Sequence, residues 1–284
     1  MKIFVTGGTG FIGSHFLEKL PAANHRGVAL RRPGGAPQIP LSQEPIWVEG
    51  KLDGDWSGEL SQCRALVHFA AAGVNSQQAD WDELFDVNVR QSLNLWRQAV
   101  KAGVKRFVIC GSCFEFGKTG ERSHFIPADA SLEPTNAYAA SKAAATMAAL
   151  ALAAETKIEL IILRPFDVYG EGQHESKFWP SLRKAAVAGE DFAMTAGEQI
   201  RDFIPVEKVA DIFIASLVRN DLRPGEPKIE NIGSGIAQNL RSFAEGQWTL
   251  MSAKGRLKIG ARPYRPGEVM RYVPVVQKDR LTWI

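Results

Sequence analysis

A tyrosine and a lysine four residues apart, Tyr138 and Lys142 in the string Tyr138-Ala139-Ala140-Ser141-Lys142, fall on one face of a helix about one turn from each other. An ammonium beside a phenol favours the phenolate, so such a tyrosine can exchange a proton with an alcohol or a carbonyl near neutral pH. A hydroxyl close to the reacting oxygen would complete the set, and Ser112 is placed to supply it. It lies in Gly111-Ser112-Cys113-Phe114-Glu115-Phe116-Gly117, directly after the strand-like run Phe107-Val108-Ile109-Cys110. Ligands of parallel sheets collect at the carboxyl ends of the strands, where Ser112 can donate to a substrate oxygen. Tyr-x-x-x-Lys alone is common by chance, and it gains weight here from what opens the chain.

Thr6-Gly7-Gly8-Thr9-Gly10-Phe11-Ile12-Gly13 lies between a first strand, Ile3–Val5, and a helix beginning at Phe11. Glycines in that turn let backbone amides approach a phosphate closely, and the helix N-terminus then faces the anion. A glycine string by itself is a weak signal, but directly after a strand at residue 7 it predicts a dinucleotide pyrophosphate site. The ribose is read at the end of the second strand, where a carboxylate binds the hydroxyls of NAD and a cation accepts the 2′-phosphate of NADP. Here Val28-Ala29-Leu30 ends in Arg31-Arg32, with no acidic residue beside it in sequence. Guanidinium groups hold phosphate with paired hydrogen bonds, so NADPH is the expected cofactor, with NAD as the alternative.

Apolar runs alternating with helical patterns must carry these groups. The runs are Ile3–Val5, Val28–Leu30, Ala65–Phe69, Phe107–Cys110 and Leu160–Leu163, with helices near Trp81–Lys101 and Tyr138–Glu155. This order predicts an α/β fold, a doubly wound Rossmann parallel sheet with crossover helices and a smaller C-terminal substrate-binding lobe. Residues 1–168 form the nucleotide-binding domain, with roughly 204–232 returning to it; 169–203 and 233–284 form the lobe. With 284 residues, 45% of them apolar and 23% charged, the chain has the composition of a globular protein with a full core. Its 34 basic against 31 acidic residues leave a charge of +3, too small to point to nucleic acid or a membrane surface. No signal peptide is apparent, and the most apolar stretch, Ala143 to Ala154, is short of the roughly 20 residues that span a bilayer. Three cysteines, an odd and sparse set, point to a reducing, cytoplasmic compartment. Cys110-Gly111-Ser112-Cys113 formally satisfies Cys-x-x-Cys, yet a zinc site needs about four ligands and the histidines lack ligand spacing, so no metal is expected. His68 is expected inside the sheet, and a place for His174 along the cleft is the less favoured of its readings; Phe178 and Trp179 could stack on a base or fill the lobe.

Taken together the motifs resemble the extended short-chain dehydrogenase/reductase family, which acts mainly on nucleotide sugars. The resemblance runs over nearly the whole chain. It is carried by TGGTGFIG at the start, His68-Phe69-Ala70-Ala71, Asp86-Val87-Asn88-Val89, Ser112 five residues before Gly117, YAASK, and Arg164-Pro165-Phe166-Asp167-Val168-Tyr169-Gly170. Arg201-Asp202-Phe203-Ile204-Pro205-Val206, Asn231-Ile232-Gly233-Ser234-Gly235 and Arg265-Pro266-Gly267 extend it. The resemblance implies Ser112, Tyr138 and Lys142 as catalytic residues, Lys142 also binding the nicotinamide ribose. It implies a cofactor cradle of Gly7, Gly10, Phe11, Ile12, Gly13, Arg31, Arg32, Leu52, Ala70, Ala71, Asn88, Pro165 and Val168 along with Tyr138 and Lys142. On the substrate side it implies Ser112, Cys113, Phe114 and Asp167, with Arg201 and Arg265 gripping a diphosphate. A homodimer through the two long helices is also implied.

Departures from the family pattern bear on the reaction. Gly50-Lys51-Leu52 stands where a carboxylate often contacts adenine, and Asp167 where asparagine is common. The chain ends at Trp283-Ile284, so a reduced lobe is expected. Nucleotide-sugar dehydratases carry an Asp-Glu pair immediately after the serine equivalent, and here those positions are Cys113-Phe114. A thiol and a phenyl ring cannot carry both proton transfers, and Glu115 is out of register if the local backbone is extended. Reduction of the 4-keto group of a nucleotide-linked 6-deoxyhexose by NADPH is the expected reaction, with NAD-dependent 4-epimerisation as the runner-up. A non-catalytic NADP-binding module is the reading of another class, disfavoured by the complete Ser112, Tyr138 and Lys142 set. Tyr138→Phe should lower turnover by orders of magnitude and leave cofactor binding intact, which steady-state kinetics and a binding titration check.

Overall fold

A computed structural model describes residues 1–74 and 80–276. The first part alternates β1 (Lys2–Thr6), α1 (Phe11–Lys19), β2 (Arg26–Arg31), β3 (Ile46–Glu49), α2 (Ser57–Leu60) and β4 (Ala65–His68). An interrupted helix follows, made of α3 (Trp81–Phe85), a π-helical turn over Asp86–Gln91 and α4 (Ser92–Lys101); it leads to β5 (Arg106–Cys110). Then come a 3-10 turn over Cys113–Phe116, α5 (Gly117–Arg122), α6 (Ala137–Thr156) and β6 (Glu159–Pro165). Shorter pieces succeed one another: β7 (Val168–Tyr169), α7 (Phe178–Ala188), β8 (Phe192–Ala193), β9 (Ile200–Asp202) and β10 (Ile204–Pro205). The described chain continues through α8 (Val206–Ser216), β11 (Lys228–Ile232), β12 (Ala237–Asn239), α9 (Leu240–Leu250), β13 (Leu257–Lys258) and β14 (Arg271–Tyr272).

Seven strands form one parallel sheet in the order β11-β6-β5-β4-β1-β2-β3. The order reverses between β1 and β4, and a ligand crevice opens at such a switch point. Alternate residues of each strand face opposite layers. Phe4, Leu66, Phe107, Ile109, Leu160 and Ile162 pack under α2, α4 and α6, while Ile3, Val5, Val67, Val108, Ile161 and Leu163 pack under α1 and α8. Burial on both faces explains why the strands read as unbroken apolar runs. The doubly wound Rossmann architecture expected from the sequence is thus present, with β11 joining the sheet beside β6 and α8 packed on α1.

Helix α6 reaches 20 residues and is apolar enough to cross a membrane by length and composition, longer than the stretch from Ala143 to Ala154 indicated. Its alanines have another use. Ala145, Ala149 and Ala153 belong to the sheet's core cluster, and Lys142 is buried on the same helix, as in a core helix of an α/β fold.

The second layer of structure is small. Leu182, Ala185 and Ala186 of α7 pack with Ala244 and Trp248 of α9 and with Met194. Phe178 packs against that cluster, its ring 5.7 Å from Phe192, so it fills the lobe. Trp179 donates from Nε1 to Gln247 Oε1 at 2.9 Å and packs near Tyr169. Strand β9 pairs antiparallel with β12 and parallel with β14. Just beyond β14, Val273 accepts from the Ile126 amide and Val275 donates to the Ile126 carbonyl, both at 2.8 Å, which returns the chain to the ends of the central strands. Trp283 and Ile284 lie outside the described residues.

Candidate active site

The turn from β1 to α1 is built around absent side chains. Gly7 has φ +69°, and a Cβ there would stand 2.5 Å from the Ala70 amide nitrogen; a Cβ on Gly13 would collide with the Gly7 carbonyl. Strand end, turn and helix are therefore in backbone contact with the segment after β4. Gly10 is the N-cap of α1 and no side chain caps the helix, so the leading amides at Phe11 and Ile12 are available to an anion. Ala70 and Ala71 follow β4, Pro165 ends β6 and Val168 begins β7, all at the same carboxyl edge. Asn88 reaches this edge from the π-helical turn. Its side chain accepts from the Ala72 amide at 2.7 Å and donates to the Ala72 carbonyl at 3.2 Å and to Ser141 Oγ at 2.9 Å. The uncapped helix start and the glycine turn present the amide donors that a dinucleotide pyrophosphate needs.

At the ribose end the sequence reading needs correction. Arg31 was expected to have no carboxylate competitor, yet parallel pairing of β2 with β3 sets it opposite Glu49. Arg31 donates to Glu49 Oε1 from Nε at 3.0 Å and from Nη2 at 2.8 Å, and its guanidinium lies 4.9 Å from the Trp47 ring centroid. Arg32 is exposed. Leu52 packs partly buried on the core, and Lys51 is exposed.

Tyr138 and Lys142 share a face of α6, and Ser112 lies beside them just past the end of β5. Ser112 sits at the N-cap of the 3-10 turn, near enough to the Tyr138 hydroxyl to favour its ionised form. Lys142 is buried and donates to the Cys110 carbonyl at 2.8 Å. Asn136 caps α6, accepting from the Ala139 amide at 2.9 Å, and Ser141 Oγ donates to the Tyr138 carbonyl at 2.9 Å. The expected lowering of the Tyr138 phenol by Lys142 is not what this arrangement does: burial dominates and raises it, with the Ser112 hydrogen bond as the opposing influence.

His68 is buried as expected, with Thr6 Oγ1 at 2.8 Å on Nδ1 and Ser92 Oγ at 3.1 Å on Nε2; burial and then the Lys142 charge push it down to about 3. Cys110 and Cys113 are free, and burial pushes the Cys110 thiol up to about 11. Neither is a ready thiolate. Among the described residues no cluster of metal-ligand type exists.

On the substrate side Phe114 is 56% exposed with its ring 6.4 Å from that of Tyr138, and the Cys113 carbonyl accepts from the Tyr272 hydroxyl at 2.8 Å. Glu115 corrects a second expectation. The backbone at Cys113–Phe116 is a 3-10 turn rather than extended, and it carries the Glu115 side chain inward to a buried ion pair with Arg164 at 2.9 Å. Arg201 is largely covered and donates to the Val269 carbonyl at 2.6 Å, with Glu268 at 3.4 Å; Arg265 is exposed on the following loop. His174 is exposed and bonded to Ser176. Sequence reasoning gave Glu115 no partner and missed Thr146, Tyr272 and Glu49. Glu115 had a visible signal, since Ser112-x-x-Glu115 is the spacing of a capping box, which the structure contains.

The strand order and glycine-lined first turn define a Rossmann-type dinucleotide enzyme fold. The chain belongs to the NAD dependent epimerase/dehydratase family, whose family model matches residues 3–233. It is 25% identical over 263 residues to UDP-glucose 4-epimerase of Corynebacterium glutamicum, covering 86% of this chain and 79% of that one. Over 265 residues it is 27% identical to dTDP-D-glucose 4,6-dehydratase of Mus musculus, covering 86% and 71%. The solved structure of MoeE5 in complex with UDP-glucose and NAD superposes with a TM-score of 0.81 at 27% identity, covering 99% of this chain and 91% of that one.

Asp167 gives a pH-dependent consequence. Burial raises its carboxyl from 3.8 to about 6, with Asp202 adding to the rise and Arg201 opposing it. A folded pKa above the unfolded one means that the native state binds the proton more tightly, so stability is lost as pH rises from about 4 to about 6. Asp167→Asn should therefore raise the melting temperature above pH 6, with the gain shrinking on acidification and gone below about pH 4. Thermal melts across that range check it.

Proposed function

We propose that this enzyme reduces the 4-keto group of a nucleotide-linked 6-deoxyhexose, with NADPH as its reductant. One observation carries the reading: Ser112 and Tyr138 lie at the carboxyl end of β5 beside positions 113 and 114, a thiol and a phenyl ring that offer no second acid or base. Such a site can protonate one oxygen. It has no carboxylate pair for the proton transfers of dehydration, because Glu115 is spent in the buried pair with Arg164.

When bound, a reduced nicotinamide supplies the hydride. Ser112 and Tyr138 hold the ketone oxygen, and Tyr138 gives it a proton as the carbonyl carbon becomes tetrahedral. Lys142, with three donors and one engaged by the Cys110 carbonyl, keeps two for the nicotinamide ribose. Gly7 and Gly13 let the turn close on the segment after β4 and on α1, which sets the leading amides of α1 toward the pyrophosphate. Arg201 and Arg265 hold the substrate diphosphate, and the exposed Phe114 ring gives the sugar an apolar wall. The apolar Trp81 and Met147, exposed on α3 and α6, support a homodimer through those helices.

A second reading, 4-epimerisation with retained NAD, is supported by the UDP-glucose 4-epimerase among the relatives, by the NAD complex of MoeE5, and by the Arg31–Glu49 pair. Incubation with NADPH and a 4-keto-6-deoxyhexose linked to dTDP, GDP or CDP separates the two. Stoichiometric loss of the nicotinamide absorbance with formation of the 4-hydroxy sugar is expected. Epimer formation from an ordinary nucleotide sugar, with NAD copurifying and no net cofactor consumption, would establish the epimerase instead.

Glu49 also makes cofactor choice testable. Glu49→Gln releases Arg31 and removes an anion from the 2′-phosphate side, so the NADPH to NADH affinity ratio should rise about two- to fivefold. Arg31→Ala should lower that ratio, and binding titrations of both nucleotides check each variant.

A further inference from the structure

Glu115 is fully buried and is held by four donors. Oε1 accepts from the Ser112 amide at 2.8 Å. Oε2 accepts from Thr146 Oγ1 at 2.8 Å and from Arg164 Nε and Nη2, each at 2.9 Å. Arg164 is 1% exposed, spends Nη1 on the Ala128 carbonyl at 3.0 Å, and lies 4.7 Å from the Phe116 ring centroid. Gly111 makes room for the pair, since a Cβ there would stand 2.9 Å from both Glu115 Oε1 and Arg164 Cγ. Such an arrangement holds the strand end that bears Ser112 to α6, because Thr146 follows Lys142 by one helical turn.

The donors around Ser112 leave its hydroxyl one role. Its amide is taken by Glu115 and its oxygen accepts from the Phe114 amide at 3.3 Å, so the hydroxyl proton remains for Tyr138 or a substrate oxygen. We infer that Glu115 is a positioning residue, which orients Ser112 as a donor and fixes its distance from Tyr138 and Lys142. A carboxylate is needed for this. Glutamine keeps one acceptor oxygen and would turn an N–H₂ group towards a donor, so it cannot serve all four.

The inference rests on Ser112 and Tyr138 being the groups that meet the substrate, and it holds for reduction and epimerisation alike. Turnover is measured for the wild type, Ser112→Ala, Glu115→Gln and the double variant, together with the cofactor dissociation constant and circular dichroism. Glu115→Gln should lower kcat about ten- to a hundredfold, with the cofactor constant and substrate KM changed less than about threefold. In the Ser112→Ala background it should lower kcat no further, because a residue acting through Ser112 has nothing left to position. Should Glu115→Gln not fold, Thr146→Val enters the same cycle, with Thr146→Ser restoring activity. Wild-type kcat in the glutamine variant, or losses that multiply in the double variant, would overturn the inference and leave the site reading standing. An unaffected Ser112→Ala enzyme would overturn both.

Discussion

A carboxylate moved out of water is tolerated only if donors replace the water on every side, and Glu115 meets that demand with a backbone amide, a hydroxyl and two guanidinium nitrogens. The requirement organises the active site. It brings together the end of β5, the first half of α6 and the last part of β6, three segments distant in sequence that side-chain packing alone would hold less specifically. Removing one partner leaves a charge buried and unmatched, so the four donors stand or fall as a group. The turn at Cys113–Phe116 follows from the same constraint, since only a tight turn returns the Glu115 oxygen to the amide of Ser112.

Much of this was legible in the sequence where one residue type has one local use. Gly7, Gly10 and Gly13 sit where backbone meets backbone, and Tyr138 and Lys142 share a helix face because their spacing matches the helical period. The strands could be found as apolar runs because the sheet is covered on both sides. What escaped depends on pairing across the fold. Glu49 opposite Arg31 is a matter of strand register between β2 and β3, and the partners of Glu115 come from residues 112, 146 and 164. The raised Tyr138 phenol likewise reflects desolvation, which only the packed site defines. The π-helical turn that aims Asn88 at Ala72 and Ser141 left no mark that helical periodicity could separate from an ordinary helix.

The two ends of the cleft use charge in opposite ways. Around Glu115 the charges are enclosed and matched, so water and salt reach them poorly. At the ribose end Arg31 shares a partly exposed ion pair with Glu49 against Trp47. A pair of that kind contributes little to stability and is easily rearranged. Rigidity is thus concentrated around Ser112, and compliance at the end of β2.

Strand β14 adds an asymmetry in time. Tyr272 supports the Cys113 carbonyl, and Val273 and Val275 pair with Ile126, yet all seven strands of the central sheet are already present once Ile232 has been made. During synthesis from the N-terminus, domains tend to form as their sequence emerges. A nascent chain of this protein would therefore complete its central sheet and glycine-lined first turn before the Tyr272 support behind Cys113 exists.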